Sequence, residues 1–345
     1  MILDGWTVGL TVGGGMLLLP VLHGSLVGGR ILRRWDATSS DAAQLRLERQ
    51  EELVALGLDV ALGLLLLQTL LFVLLLDRLA DLLVGAMCAT GVVRASSFGL
   101  PALLAKGGTL LALAVWRALF RADRLVGGFP NARPRAKVLL FLVLPLVGLD
   151  FALQTAFFFD LQPDQVTSCC AVAFRLAPSK TQELLDGLSP GRTLGLFAGG
   201  LALLLATGST ARTRALRGGP AARRSGWLFA AAALLFVFLF LVAVTALFGG
   251  YVYGSPAHRC PFCMLRGAPA WLGWPTYGLL LAGASAAIGG ATLAQAWPRD
   301  EEGAVIRTLA RRRFGKALLY QLLAAAGIAA PALLWQLSTG VAISG

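Results

Sequence analysis

The chain has 345 residues, 57% of them hydrophobic and 14% charged, with a formal net charge of +12. That balance, with a positive mean hydropathy, exceeds what a water-soluble domain of this length needs for its core and excludes a soluble fold. The basic residues fall in short clusters between apolar runs, which excludes nucleic acid as their partner and makes the lipid bilayer the partner instead.

A helix needs about 20 apolar residues to cross a hydrocarbon core. Eight segments meet that length, so the sequence predicts an all-α, polytopic transmembrane bundle forming a single domain over residues 1–345. The first span is predicted at about 5–29. Asp4 stands before it without Lys or Arg, and no small-residue cleavage site follows Pro20. It reads as a retained span and not a signal peptide. The next spans are predicted at about 53–76, 98–120 and 138–159. Two ionisable residues lie inside this group. Lys106 is eight residues in from Phe98, and Asp150 is nine residues before Phe159. Both sit about 12–14 Å from the same face, and charge at such depth calls for a partner. The sequence therefore predicts an intramembrane Lys106–Asp150 ion pair.

The longest connection covers about 160–192, with room for a short amphipathic helix around Thr181 to Leu188. The remaining spans are predicted at about 193–210, 227–250, 275–297 and 317–339. Gly9 and Gly13 in span one, and Gly195 and Gly199 in span five, have the GxxxG spacing of close helix packing.

Every second connection is basic. Arg30, Arg33, Arg34, Arg46 and Arg49 follow span one, and Arg121, Arg124, Arg133, Arg135 and Lys137 follow span three. Similar clusters follow spans five and seven. Lys and Arg accumulate on the cytoplasmic side, so both termini are expected to be non-cytoplasmic. Only four of the thirty basic residues are lysine, the bias of a GC-rich genome, and the expected location is a bacterial inner membrane.

With that topology all five cysteines fall in external connections: Cys88 in AMCATGVVRAS, Cys169 and Cys170 in TSCCAVAFRLAPS, and Cys260 and Cys263 in HRCPFCMLRGAP. Each first cysteine is followed six residues later by an arginine, namely Arg94, Arg175 and Arg266. The three helical hairpins carrying them read as diverged copies with a redox or ligand residue at each tip. The Cys260–Cys263 pair can close a small disulfide or chelate a soft metal ion, and a cation beside it would raise the thiolate fraction. Vicinal cysteines pair with each other only under strain, so Cys169 and Cys170 are expected to bond elsewhere or to bind metal. His258, Met87 and Met264 stand beside the clusters and extend a soft ligand set for Cu(I) or Zn(II). The two histidines, His23 and His258, lie at opposite faces, which excludes a bis-histidine haem.

The segment HRCPFCMLR resembles the CxxC segment of the disulfide-bond formation protein B family and, more distantly, the vitamin K epoxide reductase family. The resemblance implies a membrane thiol-disulfide oxidoreductase coupled to quinone and a periplasmic thiol protein. It would make Cys260 and Cys263 the quinone-coupled pair, Cys169 and Cys170 their exchange partners, and Arg266 the quinone-side arginine. Arg94 and Arg175 share that offset and are the other cofactor-binding candidates. Those families are four-helix bundles, the chain has about twice as many spans, and Cys88 has no counterpart in them. Two other readings stand beside this one. In the first, Cys88, Cys169, Cys170, Cys260, Cys263 and His258 bind or transfer Cu or Zn. In the second, the chain is a scaffold subunit of a larger membrane complex with structural disulfides. No Walker sequence, HExxH or nucleophile elbow is present.

Overall fold

The computed structural model describes residues 4–36, 39, 41–86, 88–126, 130–162, 187–254, 260–294 and 301–340. Helices account for the regular structure among them, and eight are long and apolar enough to cross a membrane. The chain is a multi-pass, all-α membrane protein. It divides into two compact units, one of residues 1–84 and 92–166, the other of 85–91 and 167–345.

In unit 1 the spans are α1 (Gly5–Arg34), α2 (Ala42–Leu79), α4 (Gly99–Val126), and α5 (Ala132–Val138) continued through a π-turn (Leu139–Val143) into α6 (Leu144–Asp160). The short α3 (Ala89–Ala95) precedes α4. Local chemistry sets the starts. Asp4 accepts from the Thr7 amide at 2.8 Å while its own amide donates to Thr7 Oγ1, a reciprocal cap on α1. Asp41 caps α2 through the Gln44 amide at 2.7 Å. Each helix packs on the next in chain order, α1 on α2, α2 on α4, α4 on α6, and α6 closes the ring on α1.

Unit 2 repeats that order with α7 (Pro190–Ala215), α8 (Gly219–Ala243), α10 (Ala270–Leu293) and α11 (Glu301–Thr339). Here α7 packs on α8, α8 on α10, α10 on α11, and α11 on α7. A π-turn (Val244–Phe248) and the short α9 (Gly249–Tyr253) extend α8. Ser189 caps α7, with Pro190 opening it where no amide partner is needed. Along α10, Gly283 and Gly290 have no room for a side chain, because Gln321 and Phe314 of α11 lie against them. Small residues on one face let two backbones approach, and α10 and α11 pack closely along these glycines.

The helices outrun several predicted spans. α2 begins at Ala42 instead of 53, and α11 at Glu301 instead of 317. Hydropathy marks the lipid-facing window of a helix, and polar turns at the ends keep the same backbone hydrogen bonding. Of the predicted GxxxG glycines, Gly13 lies against Gln68, but a Cβ on Gly9, Gly195 or Gly199 would meet nothing within 4 Å, whereas Gly14, Gly24, Gly200 and Gly208 lie against neighbouring side chains. One residue of helix is a rotation of about 100°, so spacing alone does not select the packed face.

Candidate functional site: a buried trithiol in unit 2

The CxxC segment is held by its backbone. Tyr253, at the end of α9, donates its hydroxyl to the Cys263 carbonyl. Tyr277, about two helical turns into α10, donates to the Pro261 carbonyl at 2.8 Å. The segment Phe262–Leu265 is one turn of 3-10 helix, ending where the Arg266 amide donates to the Cys263 carbonyl at 3.1 Å. Its back lies on Gly273 of α10, where a Cβ would collide with the Met264 carbonyl. Glycine is required there because backbone meets backbone.

Cys88 reaches this turn from far away in the chain. Its Sγ lies 3.5 Å from Cys260 Sγ, across 172 positions, and both residues are buried at 4% and 3% exposure. Thr90 Oγ1 is 3.0 Å from Cys260 Sγ. Cys263 is half-buried, and the sulfurs of Cys88, Cys260 and Cys263 all lie within 4.8 Å of one another. Phe262 packs against the group. Hydrogen bonding to the Cys260 and Cys88 sulfurs, followed by burial, pushes the Cys263 thiol well above the ordinary thiol range.

The other predicted site residues are placed differently. Arg266 is exposed at the end of the turn. Arg94 is exposed in the last turn of α3 and belongs to unit 1. Met264 is fully buried, its Sδ 3.9 Å from the Tyr277 hydroxyl. Cys169, Cys170, Arg175, His258, Met87 and the expected helix near Thr181 lie outside the described residues, apart from the last two positions of that helix. Cys88, which the family resemblance leaves without a counterpart, is the residue that turns a CxxC pair into a three-sulfur group.

Unit 1 holds charge where unit 2 holds sulfur. Lys106 Nζ is 3.0 Å from Asp150 Oδ1, with Lys106 only 1% exposed and its ammonium 5.2 Å from the centre of the Phe72 ring. Arg135 has no exposed surface at all. It lies 2.9 Å from Glu51 and 3.1 Å from Asp123, with its guanidinium over Phe120. Asn131 adds two donors to Asp123, from its amide at 2.9 Å and its side chain at 2.7 Å. The sequence alone groups Arg135 with the basic residues between spans three and four. In the structure it lies in α5 and is buried, because α4, α5 and α2 continue past the apolar windows and bring Asp123 and Glu51 onto it while Arg121, Arg124 and Arg133 stay exposed. A further pair, Arg117 with Asp59 at 3.1 Å, is partly exposed and joins α4 to α2. Both of its residues interrupt apolar windows, a signal of the same kind as Lys106.

No protein-family model matches the chain, and neither a curated protein nor a solved structure matches it.

Proposed function

We propose that the protein is a thiophilic-ion protein of a bacterial inner membrane, holding Cu(I) or Zn(II) between Cys88, Cys260 and Cys263 on the non-cytoplasmic side. One observation carries this reading, the convergence of three sulfurs from two distant connections within 4.8 Å of one another. A metal–thiolate bond of about 2.3 Å separates bound sulfurs by about 3.8–4.0 Å, and the 3.5 Å Cys88–Cys260 approach is close to that separation. Soft sulfur ligands select Cu(I) and Zn(II) over hard cations. The alternation of basic connections supports the sidedness.

The 3.5 Å contact also favours a second reading, thiol-disulfide exchange. With Cys260 and Cys263 joined, a Cys88 thiolate attacks the Cys260 sulfur, a Cys88–Cys260 disulfide forms, and Cys263 leaves as thiolate with no net change in oxidation. The four-span ring of unit 2 is the size of bundle expected from the resemblance to the disulfide-bond formation protein B family, in which Arg266 would face quinone.

Metal content and free thiols counted on one anaerobically purified sample test both. The metal reading expects one Cu or Zn per chain after loading, three protected thiols, and loss of bound metal in Cys88→Ser, Cys260→Ser and Cys263→Ser. Absence of metal after loading, with a mixed disulfide trapped when only Cys263 or Cys260 is replaced, overturns it in favour of exchange.

A further inference from the structure

The number of thiols, their burial and the charge of the resulting complex together restrict which thiophilic species the site holds best. We infer that the Cys88–Cys260–Cys263 trithiol takes a trivalent metalloid, supplied as the neutral hydroxide of arsenic(III) or antimony(III), as its preferred ligand; this rests on the thiophilic-ion reading above.

The argument is one of charge. Three thiolates around Zn(II) leave a net charge of −1, and around Cu(I) a net charge of −2. Around a trivalent metalloid they leave none. Cys88 and Cys260 are at least nineteen-twentieths buried. Among the described residues, the Thr90 hydroxyl and the Phe262 ring lie against the sulfurs, and the Tyr253 and Tyr277 hydroxyls are turned to backbone carbonyls. A complex buried to this extent is held at the lowest desolvation cost when it carries no charge.

The exchange itself is also neutral. Arsenite arrives as As(OH)3, three As–O bonds break and three As–S bonds form. Each thiol proton leaves with a hydroxide as water, and arsenic stays in the +3 state. No base has to accept a proton, and no oxidant or reductant is involved. Geometry agrees with this. A pyramidal metalloid stands on one side of its three sulfurs, so it needs them close together and only one open face. The Cys88–Cys260 approach at 3.5 Å provides the first, and half-buried Cys263 marks the second.

The test uses the full chain in detergent, with Cys169→Ser and Cys170→Ser introduced so that the vicinal pair cannot bind arsenic itself. Reduced, metal-free protein is titrated with arsenite, with Zn(II) and with Cu(I), following free thiols and intact mass. The expected result is one arsenic per chain, with the mass gain of one As less three H and the loss of three titratable thiols. Each single replacement, Cys88→Ser, Cys260→Ser or Cys263→Ser, should weaken arsenite binding at least a hundredfold. Circular dichroism separates that loss from unfolding, and Thr90→Val, which keeps all three sulfurs, should retain the three-thiol stoichiometry. Zn(II) or Cu(I) binding with arsenite consuming only two thiols, or surviving Cys88→Ser, overturns the metalloid inference and leaves the thiophilic-ion reading standing. Failure of all three ligands overturns both.

Discussion

The two units close a ring of four spans in the same order, yet their interiors are chemically opposite. Unit 1 carries Asp59, Lys106, Arg117 and Asp150 inside its spans and buries Glu51, Asp123 and Arg135 near their ends. The spans of unit 2 contain no Asp, Glu, Lys or Arg over 193–211, 225–253, 270–293 and 317–339. Their core is instead aromatic, with Phe197 against Phe236, Phe240 and Phe248, and Phe240 against Tyr277 below the thiol turn. The difference teaches how each ring is held. Unit 1 is clamped by ion pairs that penalise any loss of register, because a misplaced helix strands a charge in lipid. Unit 2 is held by small-residue packing and ring contacts, which leaves its polar chemistry to the connection that carries the sulfurs. Both share one device. The last span of each ring has a buried glutamine donating across the bundle, Gln154 to the Leu10 carbonyl at 3.0 Å and Gln321 to the Ala233 carbonyl at 3.2 Å.

The contrast breaks most sharply at Arg135. Replacing it with alanine leaves Glu51 and Asp123 buried together without their cation, and should cost unit 1 about 3–5 kcal/mol. Unfolding in mixed detergent measures this, and the thiol count of unit 2 should stay unchanged until the chain unfolds. A smaller effect is expected at Lys106 and Asp150. Lys106→Ala or Asp150→Ala alone should destabilise more than the double replacement, since each single change strands the other charge. Strict additivity in the cycle would remove the pair from the account of unit 1.

In unit 2, Gly273→Ala should cost about 1–3 kcal/mol by pushing the Met264 carbonyl and its turn off α10. The sign of the accompanying thiol change is determined by the cause of the Cys263 shift. Neighbouring sulfurs and burial raise that thiol, so it carries little thiolate at neutral pH. Moving the turn away should lower it toward the ordinary range and speed iodoacetamide labelling of reduced, metal-free Cys263 near pH 7. An unchanged labelling rate would detach Gly273 from the site. The smallest effects belong to the shared glutamines. Gln154→Leu and Gln321→Leu should each change stability by only about 0.6 kcal/mol, the size of an average interhelical hydrogen bond in lipid. Each leaves a single carbonyl without its donor, and both glutamines keep an unpartnered Oε1 among the described residues.

Legibility in the sequence followed the range over which each signal acts. Eight spans and the membrane setting could be read because hydropathy adds up over about 20 residues. Lys106 and Asp150 stood out because they interrupt apolar windows at matching depth. Arg135, Glu51 and Asp123 did not, since they lie just beyond the windows, where a buried arginine and a loop arginine look alike. The CxxC pair was visible as a motif and Cys88 as a candidate ligand, but the contact between them was not, because nothing in the local sequence around Cys88 refers to a residue 172 positions away.

The sequence by itself therefore determined the helical membrane class, the number of spans and which residues carry soft or charged chemistry, all of which depend on local composition. Only the tertiary structure decided that the spans close into two rings, that one ring stores charge and the other does not, and that Cys88 completes the sulfur group. Those outcomes depend on which helix faces meet. A rotation of one residue changes the facing side chain while leaving hydropathy and spacing the same.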